Sequence, residues 1–353
     1  MKILLLGGTG VIGRYLSDRY LKKGVDVYVT SRSIHSNQGT LHYLHGNAKD
    51  NSFLSQVCGL TAWDAIVDFM SYKTQEFEQR YSLLLQSTKQ YVFISTARVY
   101  GNLEHPIKES SPRLLDCTED KTYLATDEYA LTKARQENLL LKSGKNNYTI
   151  IRPCITYGPE RMQFGVFEKE SWLYRVLKGR TVVFCNEIAE RITTMTIGED
   201  ICNLLYNIIG NEKAIGETIH LTSDYHRTWK EIWTIYSNYL EKEHNLCPKL
   251  KIVSLSDFLT LRSPELKYQV IYDRVYNRDY NISKELKFCN SPNFTSPEKG
   301  LPSCLEEFLK DPKFKRINWK SEAKQDRLTN ERTPLNEISG FKNKIKYLLT
   351  RYL

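Results

Sequence analysis

The sequence of 353 residues lacks the long apolar runs and leader-like segments that would tie it to a membrane or to secretion. No stretch approaches about 18 uninterrupted apolar residues, so no transmembrane helix is expected. The apolar run Ile3–Leu6 is short, ends in a glycine turn and precedes no small-residue cleavage site. It predicts a first β-strand and not a signal peptide, and we expect a cytoplasmic protein.

Paired cysteines are also missing. The eight cysteines are scattered, without a CxxC pair and without histidines at the spacing of zinc ligands. This distribution predicts free, mostly buried thiols in a reducing compartment, no metal site and no cysteine nucleophile. The positions are Cys58, Cys117, Cys154, Cys185, Cys202, Cys247, Cys289 and Cys304.

The chain does contain an ordinary globular composition with an uneven surplus of positive charge. Hydrophobic residues make up 41% and charged residues 26% of the sequence, which suits one large domain or two unequal ones. The formal net charge is +9. Between Asp311 and Leu353, eleven Lys or Arg residues stand against five Asp or Glu residues, so most of the surplus lies in this last segment.

The first half of the chain alternates short β-rich runs with amphipathic stretches, which is typical of a parallel sheet covered by helices on both faces. Because crossovers between parallel strands are right-handed, we predict an α/β fold with a Rossmann-type doubly wound parallel sheet. The predicted strands are Lys2–Leu6, Val25–Thr30, Ala65–Phe69, Tyr91–Ile94, Thr149–Arg152, Thr193–Ile197 and Thr218–Leu221. The predicted helices are Ile12–Lys23, Glu128–Lys142, Asp200–Ile209 and Thr228–Tyr239.

After Gly158 the alternation loosens, and turns, aromatics and charges predict a smaller C-terminal mixed α/β domain that would bind the substrate. We predict a Rossmann domain over residues 1–160, to which residues 193–222 return. The substrate-binding region is expected over residues 161–192 and 223–330, followed by a basic amphipathic helix over residues 331–353.

A glycine-rich turn, GGTGVIG at residues 7–13, separates the first predicted strand from the first predicted helix. Its glycines permit a tight turn and let backbone N–H groups approach a pyrophosphate, which rests on the helix N-terminus. A purely structural turn is the alternative. The position directly after a strand and before a helix favours dinucleotide binding.

The second predicted strand bears on the choice of dinucleotide. Folds specific for NAD usually end this strand with Asp or Glu, whereas here it ends in Ser31, Arg32 and Ser33. Arg32, together with Arg14 after the last glycine, would hold a 2′-phosphate through charge-assisted hydrogen bonds. Alternatively, Arg32 is a solvated loop residue that stacks on adenine. The sequence therefore favours NADP over NAD.

Three residues form a candidate catalytic set. Tyr129 and Lys133 lie one turn apart on a predicted helix, and Thr96 ends a predicted strand. Hydride transfer at a carbinol needs a general acid/base, and a tyrosine can serve only when its pKa, about 10 in water, is lowered. A neighbouring ammonium favours the phenolate, and a strand-end hydroxyl can hydrogen-bond the reacting oxygen.

With these motifs in this order, the chain resembles the extended short-chain dehydrogenases/reductases of the NAD-dependent epimerase/dehydratase family, which modify nucleotide sugars. The matching pieces are GGTGVIG at 7–13, FISTARVYG at 93–101, YALTK at 129–133 and IIRPCITYGP at 150–159, with a weaker match of TIGEDI at 196–201. The resemblance covers residues 1–225 well and implies a homodimer that binds a small-molecule nucleotide sugar.

The resemblance also implies roles for individual residues. Thr96 matches the catalytic Ser/Thr, Tyr129 the acid/base, and Lys133 the lysine that also binds the nicotinamide ribose. Residues 69–71 match the strand-end segment that lines the cofactor, and Asn47 stands where an Asp usually touches adenine. The expected cofactor-binding residues are Gly7, Thr9, Gly10, Val11, Ile12, Gly13, Ser31, Arg32, Asn47, Ala48, Phe69, Met70, Ser71, Tyr129, Lys133 and Pro153. The candidate substrate-binding residues are Thr96, Arg98, Thr156, Arg191 and Arg274.

Departures from the family pattern reduce the number of reactions that the sequence supports. Sugar-nucleotide 4,6-dehydratases of the family carry Thr-Asp-Glu where this sequence has TAR at 96–98, so a dehydratase is disfavoured. The TDE at 126–128 is a different position and is expected to be a helix cap with first-turn acids. An Asn that often contacts the sugar phosphate is replaced by IT at 155–156. An epimerase, which recycles its own cofactor, and a ketoreductase, which consumes external NADPH, both remain open.

Apolar residues recur at helical spacing in the last segment. Phe341, Ile345, Leu348, Leu349 and Tyr352 fall on one stripe with lysines largely around it. We expect this stripe to dock on the body of the protein. The alternative is a contact of residues 341–353 with an anionic membrane surface or a membrane-bound glycosyltransferase.

A second class of function is compatible with the positive charge. Some members of the superfamily bind RNA without redox chemistry or act as binding modules, and a basic chain suits such a role. The sequence shows no basic patch interleaved with aromatics, and the Thr96, Tyr129 and Lys133 set would be unnecessary there. No nucleic-acid partner is therefore expected.

Overall fold

The computed structural model describes residues 1–289 and 293–353, so residues 290–292 of the predicted 223–330 region lie outside the described residues. The chain divides into two compact units. The first unit comprises Met1–Thr156, Met195–Asp224 and Tyr280–Thr295, and the second comprises Tyr157–Thr194, Tyr225–Asp279 and Ser296–Leu353. Residues 280–289 and 293–295, which the sequence assigned to the substrate region, thus belong to the first unit.

The strands are short, as expected for a chain in which strands and helices alternate. In chain order they are β1 (Lys2–Leu6), β2 (Asp26–Ser31), β3 (Leu41–His45), β4 (Trp63–Asp68), β5 (Thr88–Ile94), β6 (Tyr148–Pro153), β7 (Ile155–Tyr157), β8 (Gln163–Phe164), β9 (Phe167–Glu168), β10 (Val182–Cys185), β11 (Ile192–Ile197), β12 (Thr218–Leu221), β13 (His226–Thr228) and β14 (Leu250–Val253).

The helices range from single turns to the long α11. In chain order they are α1 (Val11–Leu21), α2 (Asn51–Gly59), α3 (Thr74–Glu78), α4 (Tyr81–Gln86), α5 (Leu114–Cys117), α6 (Lys121–Leu124), α7 (Tyr129–Leu141), α8 (Leu173–Leu177), α9 (Asn186–Ala189), α10 (Gly198–Ile208), α11 (Trp229–His244), α12 (Leu255–Thr260), α13 (Pro264–Gln269), α14 (Pro297–Lys310), α15 (Trp319–Thr329) and α16 (Phe341–Tyr352).

The first unit is built on a seven-stranded sheet in the order β12-β6-β5-β4-β1-β2-β3. Every pair of neighbouring strands is parallel. The central strands are buried on both faces, which explains their nearly continuous apolar sequences such as Ile3–Leu6. The predicted Rossmann-type parallel sheet is confirmed.

The sequence missed the edge strand β3. Its residues, LHYLH, carry two histidines, and only Leu41 is buried. An edge strand lacks a neighbour on one side and needs less apolar surface, so its sequence carries a weaker signal. The omission matters because the segment after β3 lines the candidate cofactor pocket.

The second unit is a smaller mixed α/β assembly. Strands β10 and β14 pair in parallel, β8 and β9 form a hairpin, and residues 192–194 of β11 pair with β13 in antiparallel fashion. An aromatic core lies between these short sheets and α11. Its members are Phe164, Trp172, Phe184, Trp229, Trp233 and Tyr236.

The last segment differs from its prediction. Helix α16 begins at Phe341, not near residue 331, and it docks through the buried Tyr347. The predicted docking stripe is wrong, because its members Phe341, Ile345, Leu349 and Tyr352 are exposed and only Leu348 packs against the body. The hydroxyl of Tyr347 explains the orientation, since it hydrogen-bonds the buried Asp326 carboxylate.

Two smaller predictions can also be compared with the structure. All eight cysteines are free; four are buried, and Cys247 is exposed. Within the described ranges, no helix combines the length and the apolar composition that crossing a bilayer requires.

Candidate functional site

The glycine-rich turn lies between β1 and α1 and needs glycine at specific places. Gly7 has a φ of +70°, and a Cβ there would lie 2.6 Å from Met70 Sδ. A Cβ on Gly13 would lie 2.2 Å from the carbonyl oxygen of Gly8, so the first turn of α1 packs directly on the loop backbone. Gly10 caps α1 and a Cβ there would meet only open space, so this end of the helix can be approached by a phosphate.

A pocket of about 410 Å³ opens beside this turn. Eight of the residues predicted to bind the cofactor line it, namely Gly7, Thr9, Ser31, Arg32, Asn47, Ala48, Met70 and Ser71. Thr30, Gly46 and Lys49 complete the lining. The other predicted cofactor residues lie outside this lining. Gly10 caps α1, residues 11–13 form its first turn, and Phe69 follows β4. Tyr129, Lys133 and Pro153 lie elsewhere in the first unit. The glycine cradle and the pocket fit the adenosine and pyrophosphate part of a dinucleotide.

The pocket carries cations and, among its lining residues, no Asp or Glu. Arg32 is exposed at the end of β2, and Lys49 follows β3, with its Nζ 3.1 Å from Glu76 Oε2. Lys49 was not predicted as a site residue because it follows β3, an edge strand with a weak apolar pattern. Arg14 is exposed on α1 and does not line the pocket. Arg32 is thus the arginine of the pair that reaches this site.

The two hydroxyls at the end of β5 face different environments. Ser95 is buried and its Oγ donates to Glu137 Oε1 at 2.6 Å. Thr96 is the next residue, and its Oγ1 accepts the Arg98 backbone N–H at 3.2 Å. Because a hydroxyl that accepts one bond still has its own proton to donate, Thr96 can hydrogen-bond a further oxygen.

Tyr129 and Lys133 occupy the first turns of α7, one turn apart. Tyr129 has 41% of its surface exposed, whereas Lys133 is buried. Lys133 Nζ donates to the Ile94 carbonyl oxygen at 2.7 Å and lies 4.5 Å from the centre of the Phe93 ring. Burial lowers the pKa of Lys133 to about 8, although the carboxylates of Asp68 and Glu137 oppose this decrease.

Asp68 is a site residue that the sequence analysis missed. It ends β4, is fully buried, and accepts hydrogen bonds from the Met70 N–H at 2.9 Å and from the Tyr91 hydroxyl at 2.7 Å. Burial raises the pKa of Asp68, and the charge of Lys133 acts in the opposite direction. The sequence does carry a signal for Asp68, namely a carboxylate directly after the apolar residues of a buried strand. Because a buried carboxylate needs hydrogen-bond or charge partners, this position predicts a polar cluster.

Arg98 lies close to Tyr129. Its guanidinium is 5.4 Å from the centre of the Tyr129 ring, and its Nη2 is 2.6 Å from Glu128 Oε1. Glu128 also caps α7 by accepting the Ala130 N–H at 2.8 Å. The cap predicted over residues 126–128 is therefore Glu128, while Asp127 accepts from the Thr74 N–H and hydroxyl and supplies no first-turn acid.

A buried ionic network holds α7 against β6. Glu137 is bound by Arg152 through bonds of 2.9 and 2.7 Å and by Arg113 at 3.0 Å. Arg152 also donates to the Tyr100 hydroxyl, which contacts His220. Burial and the Arg152 charge lower the pKa of His220 to about 3, so this histidine is neutral at ordinary pH. The network fixes the helix that carries Tyr129 and Lys133.

The remaining predicted substrate residues have separate surroundings. Thr156 is buried and its Oγ1 lies 3.5 Å from the Cys154 carbonyl oxygen. In the second unit, Arg191 is exposed and donates to the Glu187 carbonyl oxygen at 3.2 Å. Arg274 is buried there, pairs with Asp273 and donates to the Gly165 carbonyl oxygen. Its guanidinium is thus already engaged in packing of that unit.

Comparison with known families gives a match over more than half of the chain. The family model described as "NAD dependent epimerase/dehydratase family" matches residues 3–191. Among curated proteins, the Arabidopsis thaliana chloroplast stem-loop binding protein of 41 kDa b is 28% identical over an alignment of 245 residues that covers 65% of this chain. The chain spans 60% of the length of that relative.

Solved structures of other proteins share the fold. The UDP-glucose 4-epimerase of Thermotoga maritima, solved with UDP-glucose, has a TM-score of 0.66 and 17% identity, and the match covers 89% of this chain and 100% of that one. The Bordetella bronchiseptica enzyme WbmH, solved with NAD+, has a TM-score of 0.65 and 16% identity, with 88% and 99% covered. The fold and the family resemblance expected from the motifs are confirmed.

Proposed function

Because the chain belongs to the NAD-dependent epimerase/dehydratase family, we propose that it oxidises or reduces a sugar hydroxyl or ketone of a nucleotide sugar, as an epimerase or a ketoreductase. The observation that carries the proposal is the pairing of an accessible phenol, Tyr129, with a buried ammonium, Lys133, one helical turn away. A buried cation has little use in a binding surface, whereas it favours a phenolate beside it.

In the proposed reaction, Tyr129, Lys133 and Thr96 each have a separate role. When bound, the nicotinamide ring supplies the group that accepts or returns hydride. Tyr129 Oη removes the proton from the sugar hydroxyl or returns it to the ketone. Lys133 stabilises the phenolate form of Tyr129, which is present before the proton is taken up and after it is returned. Thr96 Oγ1 donates a hydrogen bond to the reacting oxygen.

Arg98 adds a second positive charge near Tyr129. Its guanidinium lies 5.4 Å from the ring centre and is held there by Glu128. A cation in this position favours the phenolate and can also hydrogen-bond a sugar hydroxyl or phosphate oxygen. In the proposal, Arg98 binds substrate while Thr96, Tyr129 and Lys133 are the catalytic residues.

The proposed cofactor is NADP. Arg32 and Lys49 bring two cations to the pocket beside β2 and β3, whose lining residues include no Asp or Glu. NAD-specific sites place a carboxylate there to bind the ribose hydroxyls, and that carboxylate would repel a 2′-phosphate. Charge-assisted bonds from Arg32 and Lys49 would instead stabilise the 2′-phosphate.

The experiment that tests the proposal is a substrate screen. UDP-, GDP-, CDP- and dTDP-sugars are incubated with the protein, with and without added NADPH, and products are identified by mass spectrometry and NMR. An epimer formed without added NADPH identifies an epimerase, whereas product formed in step with NADPH consumption identifies a reductase. Absence of turnover under both conditions, with cofactor bound, would contradict the proposal.

RNA binding is the second candidate, and one observation favours it. The Arabidopsis relative, 28% identical over 245 residues, is named a stem-loop binding protein. The chain also has a net charge of +9. Binding to a stem-loop RNA across a salt series separates the two functions, because phosphate-driven binding weakens steeply with salt. RNA affinity that Tyr129→Phe leaves unchanged, without turnover of any nucleotide sugar, would favour this candidate.

A further inference from the structure

The last helix, α16, is held to the second unit through one face. Tyr347 is buried, its hydroxyl donates to Asp326 Oδ2 at 2.6 Å, and the same hydroxyl accepts the Thr333 backbone N–H at 2.8 Å. Tyr347 also belongs to a hydrophobic cluster with Trp319 and Ala323 of α15. The attachment of α16 therefore does not depend on its other face.

The opposite face of α16 is an exposed apolar stripe. Its members Phe341, Ile345, Leu349 and Tyr352 have 77%, 41%, 51% and 55% of their surface exposed. At about 100° per residue, the four lie within about 80° of the helix circumference, and Tyr347 lies roughly opposite them. Helices on globular proteins normally bury their apolar face, so an exposed stripe on a helix that is already docked indicates a second binding surface.

Lysines flank the stripe on both sides. At the same angular spacing of about 100° per residue, Lys342 and Lys346 follow one edge of the stripe and Lys344 follows the other. Lys342 and Lys346 are exposed and Lys344 is half-buried. An apolar stripe bordered by lysines is typical of helices that lie in the plane of a membrane interface.

A basic pocket adjoins the stripe at Lys346. The pocket has a volume of about 330 Å³, and its lining residues are Arg316, Ile317, Asn318, Trp319, Lys320, Asn343 and Lys346. Three of these residues are cations and none is acidic. Arg316, Lys320 and Lys346 are also exposed, so a phosphate group can reach them from solvent.

Three of the five carboxylates of this segment bind an arginine and not the lysines of α16. Residues 311–353 contain eleven Lys or Arg and five Asp or Glu. Glu322, Asp326 and Glu331 all bind the fully buried Arg175 guanidinium, at 2.9, 2.8 and 3.0 Å. Three of the segment's five carboxylates are thus engaged with an arginine from another part of the unit. Among the described residues, no carboxylate forms an ion pair with Lys342, Lys344 or Lys346, so these lysines can contact an external partner.

We propose that this face of α16 binds an anionic lipid bilayer. Phe341, Ile345, Leu349 and Tyr352 enter the interfacial layer, while the flanking lysines bind the negatively charged surface. The pocket of Arg316, Lys320 and Lys346 binds the phosphate of a lipid head group. The protein would thereby act at a membrane surface.

The combination of charge and apolar surface favours a bilayer over other partners. A second copy packed face to face on a twofold axis would bring the same lysines against each other. RNA would satisfy the cations but leave the apolar stripe in water. A bilayer with anionic lipids offers both a negative plane and an apolar layer directly beneath it.

The proposal is tested by flotation of the full chain with two kinds of vesicles, phosphatidylcholine alone and phosphatidylcholine with an equal part of phosphatidylglycerol. We expect binding to the anionic vesicles only, weakened by salt. Phe341→Ser with Ile345→Ser should abolish binding. Lys342→Gln with Lys346→Gln should weaken it on the order of 20-fold, since each lysine near an anionic surface contributes about fivefold.

Matched controls separate the surface from general effects. Leu103→Ser removes an exposed leucine elsewhere, and Lys22→Gln with Lys23→Gln removes two exposed lysines on the first unit. Both controls should bind as the natural sequence does, and all variants should keep its melting temperature. Absence of anionic-vesicle binding, or binding unchanged in the Phe341 and Ile345 variant, overturns the proposal. Loss of a dimer in that variant without vesicle binding would assign the stripe to self-association instead.

Discussion

Replacing Asp68 with Asn should move the alkaline limit of activity to lower pH. The pKa of Lys133 is about 8 because burial disfavours its charge while Asp68 and Glu137 partly restore it. Removing an opposite charge nearby changes a pKa by about 1 to 3 units. We expect a decrease of about 1 unit, the lower end of this range, because the Glu137 carboxylate still favours the charged form of Lys133 in the variant.

The sign of the effect follows from the state of Lys133 that supports Tyr129. The ammonium form stabilises the phenolate, so activity falls as pH rises through the pKa of Lys133. We therefore expect the alkaline limb of kcat/KM to move from about pH 8 to about pH 7 in Asp68→Asn. The assay is kcat/KM against pH with the substrate found by the screen.

The control is Asp64→Asn, at the start of the same strand, where the carboxylate pairs with Lys89 on the surface at 2.8 Å. Its pH profile should match that of the natural sequence. An alkaline limb that stays in place, or moves upward, in Asp68→Asn would refute the assignment of that limb to Lys133.

Two further predictions concern the cofactor and stability. Arg32→Ala should weaken NADP binding by about 10- to 100-fold and NAD binding little, because the lost hydrogen bonds involve the 2′-phosphate. Fluorescence titrations with both cofactors measure these affinities. Equal losses of affinity for NADP and NAD would refute the prediction. Burial raises the pKa of Glu285 to about 9, above its ordinary range, so the folded state holds a proton that the unfolded state releases. Stability should fall by up to about 1.4 kcal/mol per pH unit between about pH 5 and 9, and Glu285→Gln should flatten that slope in urea unfolding. A slope equal to that of the natural sequence would contradict it.

Features encoded by local sequence were predicted well. Strand β1 has the predicted bounds because Ile3–Leu6 is an unbroken apolar run that ends at a glycine turn. The start of α7 at Tyr129 follows from a carboxylate cap and a change to helical periodicity. Both signals lie within a few residues of the element they specify, so they survive in a single sequence.

Features that depend on distant partners were missed. Asp68 and Lys133 are 65 positions apart in the sequence. The residues around each of them do not indicate that both side chains are buried and interact. Lys49 was missed because β3, an edge strand, has a weak apolar pattern. The orientation of α16 follows from the buried contacts of Tyr347 with Asp326 and Trp319, which leave the apolar stripe exposed. A buried carboxylate needs a partner more strongly than an exposed leucine needs burial.

The central claim is that Tyr129 moves the proton during hydride transfer at a sugar carbon. The most direct measurement is turnover of the substrate by Tyr129→Phe together with its cofactor affinity, since this change removes one oxygen and keeps the ring. The account predicts a loss of turnover by about 10²- to 10⁴-fold with cofactor affinity retained. Turnover at the rate of the natural sequence would contradict it.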